Sequence, residues 1–321
     1  MHRFLRKTTV YARDKMKKLA TFVILLLSVN SILLALAYLP INEATPNIEI
    51  TPKITIRGPK GKGNKGKPTK QVATGTLGEP PPKDKWAVII GISDYAGTEN
   101  DIYYADDDAL EMLRTLIEVY NYSRDHILLL ISDYTVNNAT HDDIIAAIEW
   151  LRDNEGPGDE VVFFYSGHGA RGLKADDDPE AIDEGIVPWE CAGEYIIWDG
   201  ELASMFSDFD TTRIIFIFDC CYAGGMTDLE AEGRIVVMAT TENGVAYESS
   251  TLENGVFTYY FVEEGMLQGL ADVYDHDGDS DLPEPDDVTI EEAFDYAKPL
   301  VKEAVSQTPT ISDSFKDDLL L

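Results

Sequence analysis

Two apolar runs each end in residues that can perform nucleophilic chemistry. Residues 160–169 are Glu-Val-Val-Phe-Phe-Tyr-Ser-Gly-His-Gly, and residues 213–225 are Arg-Ile-Ile-Phe-Ile-Phe-Asp-Cys-Cys-Tyr-Ala-Gly-Gly. Each run is short, apolar and bounded by turn residues, which is typical of a buried parallel strand. In open α/β sheets, ligands and chemistry collect at the carboxyl ends of the strands. The pattern therefore predicts a pair made of the His168 imidazole and a thiol from Cys220 or Cys221.

The two strand ends carry a family resemblance. Tyr-Ser-Gly-His-Gly at residues 165–169 and Asp-x-Cys-x-x-Gly at residues 219–224 resemble, in this order, the motifs of the caspase-like cysteine peptidases, specifically the metacaspase-like branch. The resemblance covers about residues 86–309. It implies a catalytic dyad of His168 and Cys221, because the nucleophile of the family is the cysteine followed by x-x-Gly.

The chemistry implied by the resemblance is acyl transfer from a peptide bond. A cysteine reacts as the thiolate, so it needs a neighbouring base or a positive environment that lowers its pKa. By resemblance, the backbone N–H groups of Gly169 and Cys221 are the oxyanion donors. Cys220 is expected to be a packing residue, and a dyad suffices in this family without a third residue to orient His168.

The resemblance also implies a pocket for a basic side chain. In metacaspase-like enzymes an Asp two residues before the nucleophile lines this pocket, and Asp219 holds that place. Ser166 contributes to the same pocket, and a further acid comes from the start of the first helix, where Asp108 fits although a run of three Asp leaves the register open. Carboxylates form short, charge-assisted bonds with a guanidinium, so we expect cleavage after Arg or Lys. The alternative for Asp219 is a structural carboxylate that accepts bonds from nearby N–H groups.

Alternating strands and helices predict an α/β fold with a mostly parallel sheet covered by helices on both faces, and the resemblance implies that this sheet is caspase-like. The expected folded domain is residues 86–321, preceded by an N-terminal hydrophobic segment and a disordered linker. The predicted strands are 86–92, 126–132, 159–166, 213–219 and 234–240. The predicted helices are 106–120, a helix that runs to Trp150 with Thr140 as its cap, and 255–270.

Charge divides the chain into two unequal parts. The net charge is −32, yet residues 1–85 hold 16 Lys/Arg against 5 Asp/Glu, whereas residues 86–321 hold 10 against 53. Such a domain repels nucleic acid and attracts cationic substrates. The chain has three cysteines, which excludes a disulfide framework and a zinc pattern.

The N-terminal part predicts export. Residues 1–39 combine a basic flank with an apolar run at 19–39 that is long enough to span a bilayer. We expect an uncleaved membrane anchor with the catalytic domain outside the cytoplasm. The alternative is a signal peptide that is cleaved after the Ala35-Leu36-Ala37 pattern and releases a secreted protein.

Residues 40–85 form a basic linker rich in Pro, Gly and Lys, without apolar periodicity. Two arrangements are compatible with its charge. The expected one is a solvated tether that leans loosely on the acidic domain. The other is a pro-segment that places one of its lysines in the active-site cleft and holds the enzyme in check.

A calcium site is predicted within residues 275–292. Acids at alternate positions suit a cation that prefers oxygen ligands, and a Glu in the helix that follows would complete an EF-hand-like set. The expected ligands are Asp275, Asp277, Asp279, Asp281 and Glu292. Residues 282–287 are an insertion relative to an EF-hand, and Ser280 stands where its invariant Gly would be. The acidic loop at 176–190 could also bind Ca²⁺, or be a solvated loop.

The alternative to a peptidase is a catalytically silent surface protein of the same fold. It would use the domain as a calcium-binding or partner-binding module. Loss of His168 or Cys221 would favour this alternative, and both residues are present.

Overall fold

The computed structural model describes residues 48–56, 81–173, 181–272, 288–315 and 318–321. The strands in these ranges are β1 (Glu49–Thr51), β2 (Ile54–Ile56), β3 (Lys85–Ile92), β4 (Ile127–Ser132), β5 (Glu160–Ser166), β6 (Gly169–Leu173), β7 (Ile182–Ile186), β8 (Ile197–Trp198), β9 (Ile214–Asp219), β10 (Arg234–Met238), β11 (Tyr247–Ser249), β12 (Asn254–Gly255) and β13 (Thr310–Asp313). The helices are α1 (Ala105–Glu118), α2 (His141–Asn154), α3 (Asp199–Phe206), α4 (Val256–Thr258) and α5 (Ile290–Ala304). Helix α4 continues directly as a π-helix over Tyr259–Leu267.

A six-stranded sheet forms the centre of the domain, in the order β13-β10-β9-β5-β3-β4. Strands β4, β3, β5, β9 and β10 are parallel to their neighbours, and β13 runs antiparallel along β10. All six residues of β9 are buried. The apolar run over residues 214–218 is therefore that of a strand covered on both faces.

Helices cover both faces of this sheet. Met112 of α1 and Phe294 of α5 belong to the apolar cluster on one face. Ile148 of α2 and Phe206 of α3 belong to the cluster on the other. The predicted caspase-like α/β fold is confirmed.

Strand register brings the predicted site residues to one edge. Strands β5 and β9 are parallel neighbours, with Ser166 opposite Asp219. His168 lies two residues after Ser166 and Cys221 two residues after Asp219, so both functional groups leave the sheet at the same edge. The helix cap predicted at Thr140 is also present, as a capping box with Asp143.

Residues 48–56, called the N-terminal strap below, correct the expectation of a disordered linker. Strand β1 pairs with β6 in a sheet of order β1-β6-β7-β8, and β2 pairs with β11 in a sheet of order β12-β11-β2. Edge strands of three residues are held by backbone hydrogen bonds, so they need no apolar alternation. The strap belongs to the same compact unit as the domain, residues 46–321.

The remaining N-terminal predictions cannot be compared with the fold. The segment 19–39 and the linker residues 57–80 lie outside the described residues. Among the residues that are described, no helix has the length and hydropathy needed to cross a membrane.

Candidate active site

His168 is fixed by backbone and aromatic contacts at the end of β5. Its ring stacks on Tyr95 with the centroids 4.1 Å apart and the planes 2° from parallel. Its backbone N–H donates to the Tyr95 hydroxyl at 2.7 Å, and its carbonyl accepts from the Tyr165 hydroxyl at 2.7 Å. Two tyrosines thus set the position of the imidazole before any substrate binds.

The tautomer of His168 follows from a third contact. Nε2 lies 2.6 Å from the backbone carbonyl oxygen of Asn100. Since a carbonyl can only accept, Nε2 carries the hydrogen and Nδ1 presents its lone pair. Within the described ranges Nδ1 is buried without a hydrogen-bond partner, so it is the atom available to receive a proton. Burial lowers the pKa of His168 to about 4, against the raising effect of the Asn100 bond, and the ring is neutral at pH 7.

Cys221 lies at a sharp turn after β9. Its Sγ accepts from the backbone N–H of Ala246 at 3.3 Å and donates to the carbonyl oxygen of Pro52 at 3.5 Å. The next residue, Tyr222, has φ 62° in the left-handed region, which ends the strand abruptly. Burial raises the pKa of Cys221 to about 11, so the strap-covered group is a thiol. Cys220 is buried in the apolar core, as expected of a packing residue.

The three predicted pocket residues lie together. Ser166 Oγ donates to Asp108 Oδ2 at 2.6 Å, and Ser166 faces Asp219 across the β5–β9 pair. Both carboxylates are fully buried. The run of acids at residues 106–108 is therefore resolved in favour of Asp108, which lies on the buried face of α1.

The side chain of Lys53 fills this pocket. Its Nζ lies 3.0 Å from Asp219 Oδ1 and 3.2 Å from Asp108 Oδ2, and it donates to Ser166 Oγ at 2.8 Å. Burial alone would lower the pKa of Lys53, but the two carboxylates outweigh it and raise the pKa above its usual value. Burial raises the pKa of Asp108, and the ammonium of Lys53 opposes that shift. The pocket thus holds one buried cation against two acids.

Residues 254–258 complete the pocket and were not identified from the sequence. Gly255 N donates to Asp108 Oδ1 at 2.7 Å, and a Cβ at Gly255 would approach Asp219, Asp108 and Lys53 to 3.0 Å or less. Thr258 donates to Asp219 Oδ2 from its hydroxyl at 2.7 Å and from its backbone N–H at 3.2 Å. The structural role weighed for Asp219 is therefore present on one oxygen, while the other oxygen faces the lysine.

Glycine at the predicted oxyanion position has a steric reason. A Cβ at Gly169 would collide with the carbonyl oxygen of Cys221, so the two backbones approach as only a glycine permits. Gly169 begins β6 and pairs with Thr51 of the strap. The assignment of the Gly169 and Cys221 N–H groups as oxyanion donors stays a prediction.

The strap contradicts the expectation of a loose tether for residues 48–56. Thr51 Oγ1 lies 2.7 Å from the Tyr222 hydroxyl, Lys53 enters the pocket, and Ile54 N donates to Ala246 O at 2.9 Å. A buried ion pair and strand pairing on two sheets hold the segment. The less favoured arrangement, a linker lysine in the cleft, is the one that the structure shows.

Only one of the five predicted calcium ligands, Glu292, lies among the described residues. Asp275, Asp277, Asp279 and Asp281 lie outside the described residues. Glu292 accepts from the backbone N–H of Thr289 at 3.0 Å in a capping box at the start of α5, which occupies Oε2. Its other oxygen, Oε1, is buried and has no hydrogen-bond partner in the described ranges, and burial raises the pKa of Glu292 to about 7. In the same ranges, no three or more His, Cys, Asp or Glu are grouped to hold a metal ion.

Comparison with known proteins agrees with this geometry. The family described as metacaspase, peptidase C14 domain matches residues 85–230. Metacaspase-1 of Pyricularia oryzae is 32% identical over 148 residues, which cover 44% of this chain and 37% of the relative. Metacaspase-4 of Arabidopsis thaliana is 33% identical over 155 residues, or 47% of this chain and 36% of the relative. The chain thus matches little more than a third of the length of these relatives.

A solved structure resembles the fold over a larger part of the chain. Protein GSU0716 from Geobacter sulfurreducens aligns with a TM-score of 0.50 at 15% identity, covering 73% of this chain and 94% of that one. At this identity the likeness concerns the fold alone. The family match carries the motifs of His168 and Cys221, both of which lie within residues 85–230. Residues 85–230 are therefore similar to the metacaspase, peptidase C14 domain, and this region holds both residues of the predicted dyad.

Proposed function

We propose that this protein is a cysteine endopeptidase that cleaves after Arg or Lys and is latent while the strap is docked. The observation that carries the proposal is the position of Lys53, whose ammonium contacts Asp108, Asp219 and Ser166. The same strap touches the sulfur of Cys221 through the Pro52 carbonyl. A pocket that holds a lysine beside a nucleophile fits a basic residue at the cleaved bond.

The proposed reaction uses the tautomer of His168 described above. Nδ1 accepts the thiol proton of Cys221, and the sulfur attacks the carbonyl carbon of the P1 residue, whose side chain occupies the pocket. The imidazolium is stabilised by the Nε2–H bond to Asn100. The oxyanion accepts from Gly169 and Cys221 N–H groups. The carbon–nitrogen bond breaks as His168 protonates the leaving amine, and water then hydrolyses the thioester and restores the thiol.

The charge of the pocket sets the proposed specificity. A P1 Arg or Lys replaces the ammonium of Lys53 between two buried carboxylates, where charge-assisted bonds are short and strong. A P1 Asp would place a third carboxylate among them without a cation. Removing one partner of a buried charged pair is costly, so acidic P1 residues are excluded.

Latency follows from the space that the strap occupies. Cys221 is fully buried, the pocket is filled, and the backbones beside it are already paired with β1 and β2. A substrate must displace these contacts before its carbonyl can reach the sulfur.

The test compares the full chain with its Lys53→Ala variant on fluorogenic peptides that end in Arg, Lys, Asp or Asn. We expect Lys53→Ala to raise kcat/KM on Arg and Lys peptides at least tenfold, because the strap loses the ion pair that holds it. Lys302→Ala, which removes an exposed lysine, is the matched control and leaves the rate unchanged. Adding Cys221→Ala to Lys53→Ala should abolish cleavage, whereas adding Cys220→Ala should not.

Other outcomes separate the alternatives. Cleavage after Asp or Asn would refute the pocket assignment while keeping the dyad. A folded Lys53→Ala variant that cleaves none of the peptides would favour the silent binding module.

We also propose that Ca²⁺ binds at residues 275–292 and that residues 19–39 anchor an exported protein in a membrane. The alternate acids of the first segment and the open Oε1 atom of Glu292 support the former, and the apolar run behind a basic flank supports the latter. Repeating the peptide assay with CaCl₂ and with EGTA tests the calcium requirement. Fractionation of cells that express the full chain, with carbonate washing, distinguishes an anchored protein from a secreted one.

A further inference from the structure

The direction of a substrate in the cleft can be deduced from the strap. The sulfur of Cys221 meets the carbonyl of Pro52, and Gly169 pairs with Thr51. The sulfur of Cys221 and the predicted oxyanion donor Gly169 thus both lie on the amino-terminal side of Lys53. A P1 residue in the same pocket must turn its own carbonyl toward these groups.

The residues that precede P1 in a substrate must then leave the pocket on the opposite side. That side is lined by β11, which in this structure pairs in parallel with β2, the part of the strap after Lys53. The strap therefore crosses the cleft in the reverse direction of a substrate. The segment that follows Lys53 marks the places of P2 and P3.

Glu248 of β11 faces the position two residues from the pocket. It lies opposite Thr55 in the β2–β11 register, and its Oε1 accepts from Thr55 Oγ1 at 2.6 Å. Its Oε2 accepts from the backbone N–H groups of Tyr103 at 3.1 Å and Tyr104 at 3.2 Å, just before α1. The side chain is fully buried under the strap.

We propose that Glu248 forms a second acidic subsite, which binds a hydrogen-bond-donating side chain at P3: Ser, Thr, Lys or Arg. The inference rests on the proposed function, since it takes the Asp108–Asp219 pocket as the P1 site. It extends the substrate class from peptides with one basic residue to peptides with a donor two residues earlier.

The two carboxylate oxygens of Glu248 have different hydrogen-bond partners, and this difference supports Glu248 as the P3 subsite. The bonds from Tyr103 and Tyr104 fix Oε2 and hold the carboxylate in place whether or not the strap is docked. When the strap leaves, Oε1 loses the Thr55 hydroxyl. A carboxylate oxygen in a cleft binds a hydrogen-bond donor better than an apolar group, because an apolar group would leave the oxygen buried without a hydrogen bond.

The experiment uses the full-length Lys53→Ala chain and coumarin amides with Arg at P1, Gly at P2 and Thr, Val or Lys at P3. Thr and Val have nearly the same shape, so their ratio isolates the hydrogen bond. We expect Thr and Lys to exceed Val about tenfold in kcat/KM, as a hydrogen bond to a charged group implies. In Glu248→Gln on this background the Lys/Val ratio should fall to within about twofold, because the amide nitrogen that replaces Oε1 cannot accept a hydrogen bond, and the Thr/Val ratio should fall with it. The side-chain oxygen of Gln can still accept from the backbone N–H groups of Tyr103 and Tyr104, so the first turn of α1 is preserved.

Several results would overturn the inference. A Thr/Val ratio of one in the Lys53→Ala chain, or a ratio that Glu248→Gln leaves unchanged, contradicts the subsite. Internally quenched peptides with Thr or Val at P2′ test the direction, and a preference there without one at P3 contradicts it. Cleavage of the Val peptide shows that the proposed function itself holds. If no Arg peptide is cleaved at all, the proposed function fails and the subsite falls with it.

Discussion

At the scale of single residues, the site is a set of buried charges that were predictable to different degrees. Asp219 and Cys221 follow an apolar strand, so their place at the sheet edge could be expected from the sequence. Asp108 could be narrowed to three acids, and helix α1 selects it by burying only that one among them. The orienting partner of His168 could not be found, because it is the backbone carbonyl of Asn100, and a backbone atom leaves no side-chain signal.

Replacing Asp219 tests the pocket most directly. In the Lys53→Ala background, Asp219→Asn should lower kcat/KM on Lys and Arg peptides by at least about thirtyfold, since breaking a buried charged pair costs about 2–5 kcal/mol. Asp208→Asn, at an exposed acid, is the control with the same chemical change. Equal activity of the two variants would show that Asp219 serves only Thr258.

The reactivity of Cys221 should report whether the strap is docked. A thiol is alkylated as its thiolate, and the pKa of Cys221 is about 11 with burial as its main cause. In the unmodified chain its alkylation by iodoacetamide should be slow at pH 7 and rise toward pH 11. In Lys53→Ala the same rise should occur at lower pH. Release of the strap exposes Cys221 and removes the effect of burial, which raises its pKa more than the positive charge of Lys53 lowers it.

Mass spectrometry of each cysteine-containing peptide gives this profile residue by residue. Cys191 is an internal reference, because burial also raises its pKa to about 11, and the one charged group that acts on it, Glu99, lies outside the strap. An unchanged Cys221 profile in Lys53→Ala would mean that the strap remains in place without its lysine.

At the scale of elements, the central strands and helices follow from apolar runs, whereas the cleft is built from short pieces that do not. Strands β1, β2, β11 and β12 have two or three residues each, too few to show alternation. Their pairing is decided by backbone groups and by the ion pair of Lys53. The helix predicted at 255–270 is instead a brief α-helix followed by a π-helix, a winding that the apolar content of residues 256–262 does not distinguish from an α-helix.

On the proposed function, the reversed strap should resist cleavage by the domain that it covers. The carbonyl at the sulfur of Cys221 belongs to Pro52, so the carbonyl of Lys53 is not presented for attack. We expect the Lys53–Ile54 bond of the unmodified chain to stay intact during hours of incubation. Intact-mass measurement without trypsin digestion reads this directly, and cleavage of an added Lys-containing reporter peptide by the Lys53→Ala chain under the same conditions is the check on activity. Release of a fragment that ends at Lys53 would show that the strap docks as a substrate.

At the scale of the whole molecule, the dominant property is negative charge. Residues 86–321 carry 53 Asp/Glu against 10 Lys/Arg, and self-repulsion of such an excess opposes the compact state. This balance was readable from composition alone. The few acids that line the pocket could not be identified from composition, because burial depends on the fold.

Salt should therefore stabilise the protein. Screening lengths shrink from about 30 Å at 0.01 M to about 3 Å at 1 M ionic strength, so the unfolding temperature should rise as KCl is increased over this range. Circular dichroism melts measure it. CaCl₂ at matched ionic strength separates screening from a specific calcium effect, which would appear already at low concentration. A melting temperature that falls with salt would contradict the electrostatic account.

Covalent attachment gives the docked strap a property that no separate inhibitor has. A covalent connection holds a tethered group at an effective concentration that reaches the order of millimolar for short linkers, so dilution does not release it and the return of a dissociated strap is unimolecular. One cut in the chain between the strap and β3 would make that return a bimolecular encounter, and at ordinary protein concentrations the segment would be lost. On the proposed function, the continuity of the chain is what keeps the enzyme latent, and a single cut ends that latency irreversibly with the folded domain unchanged.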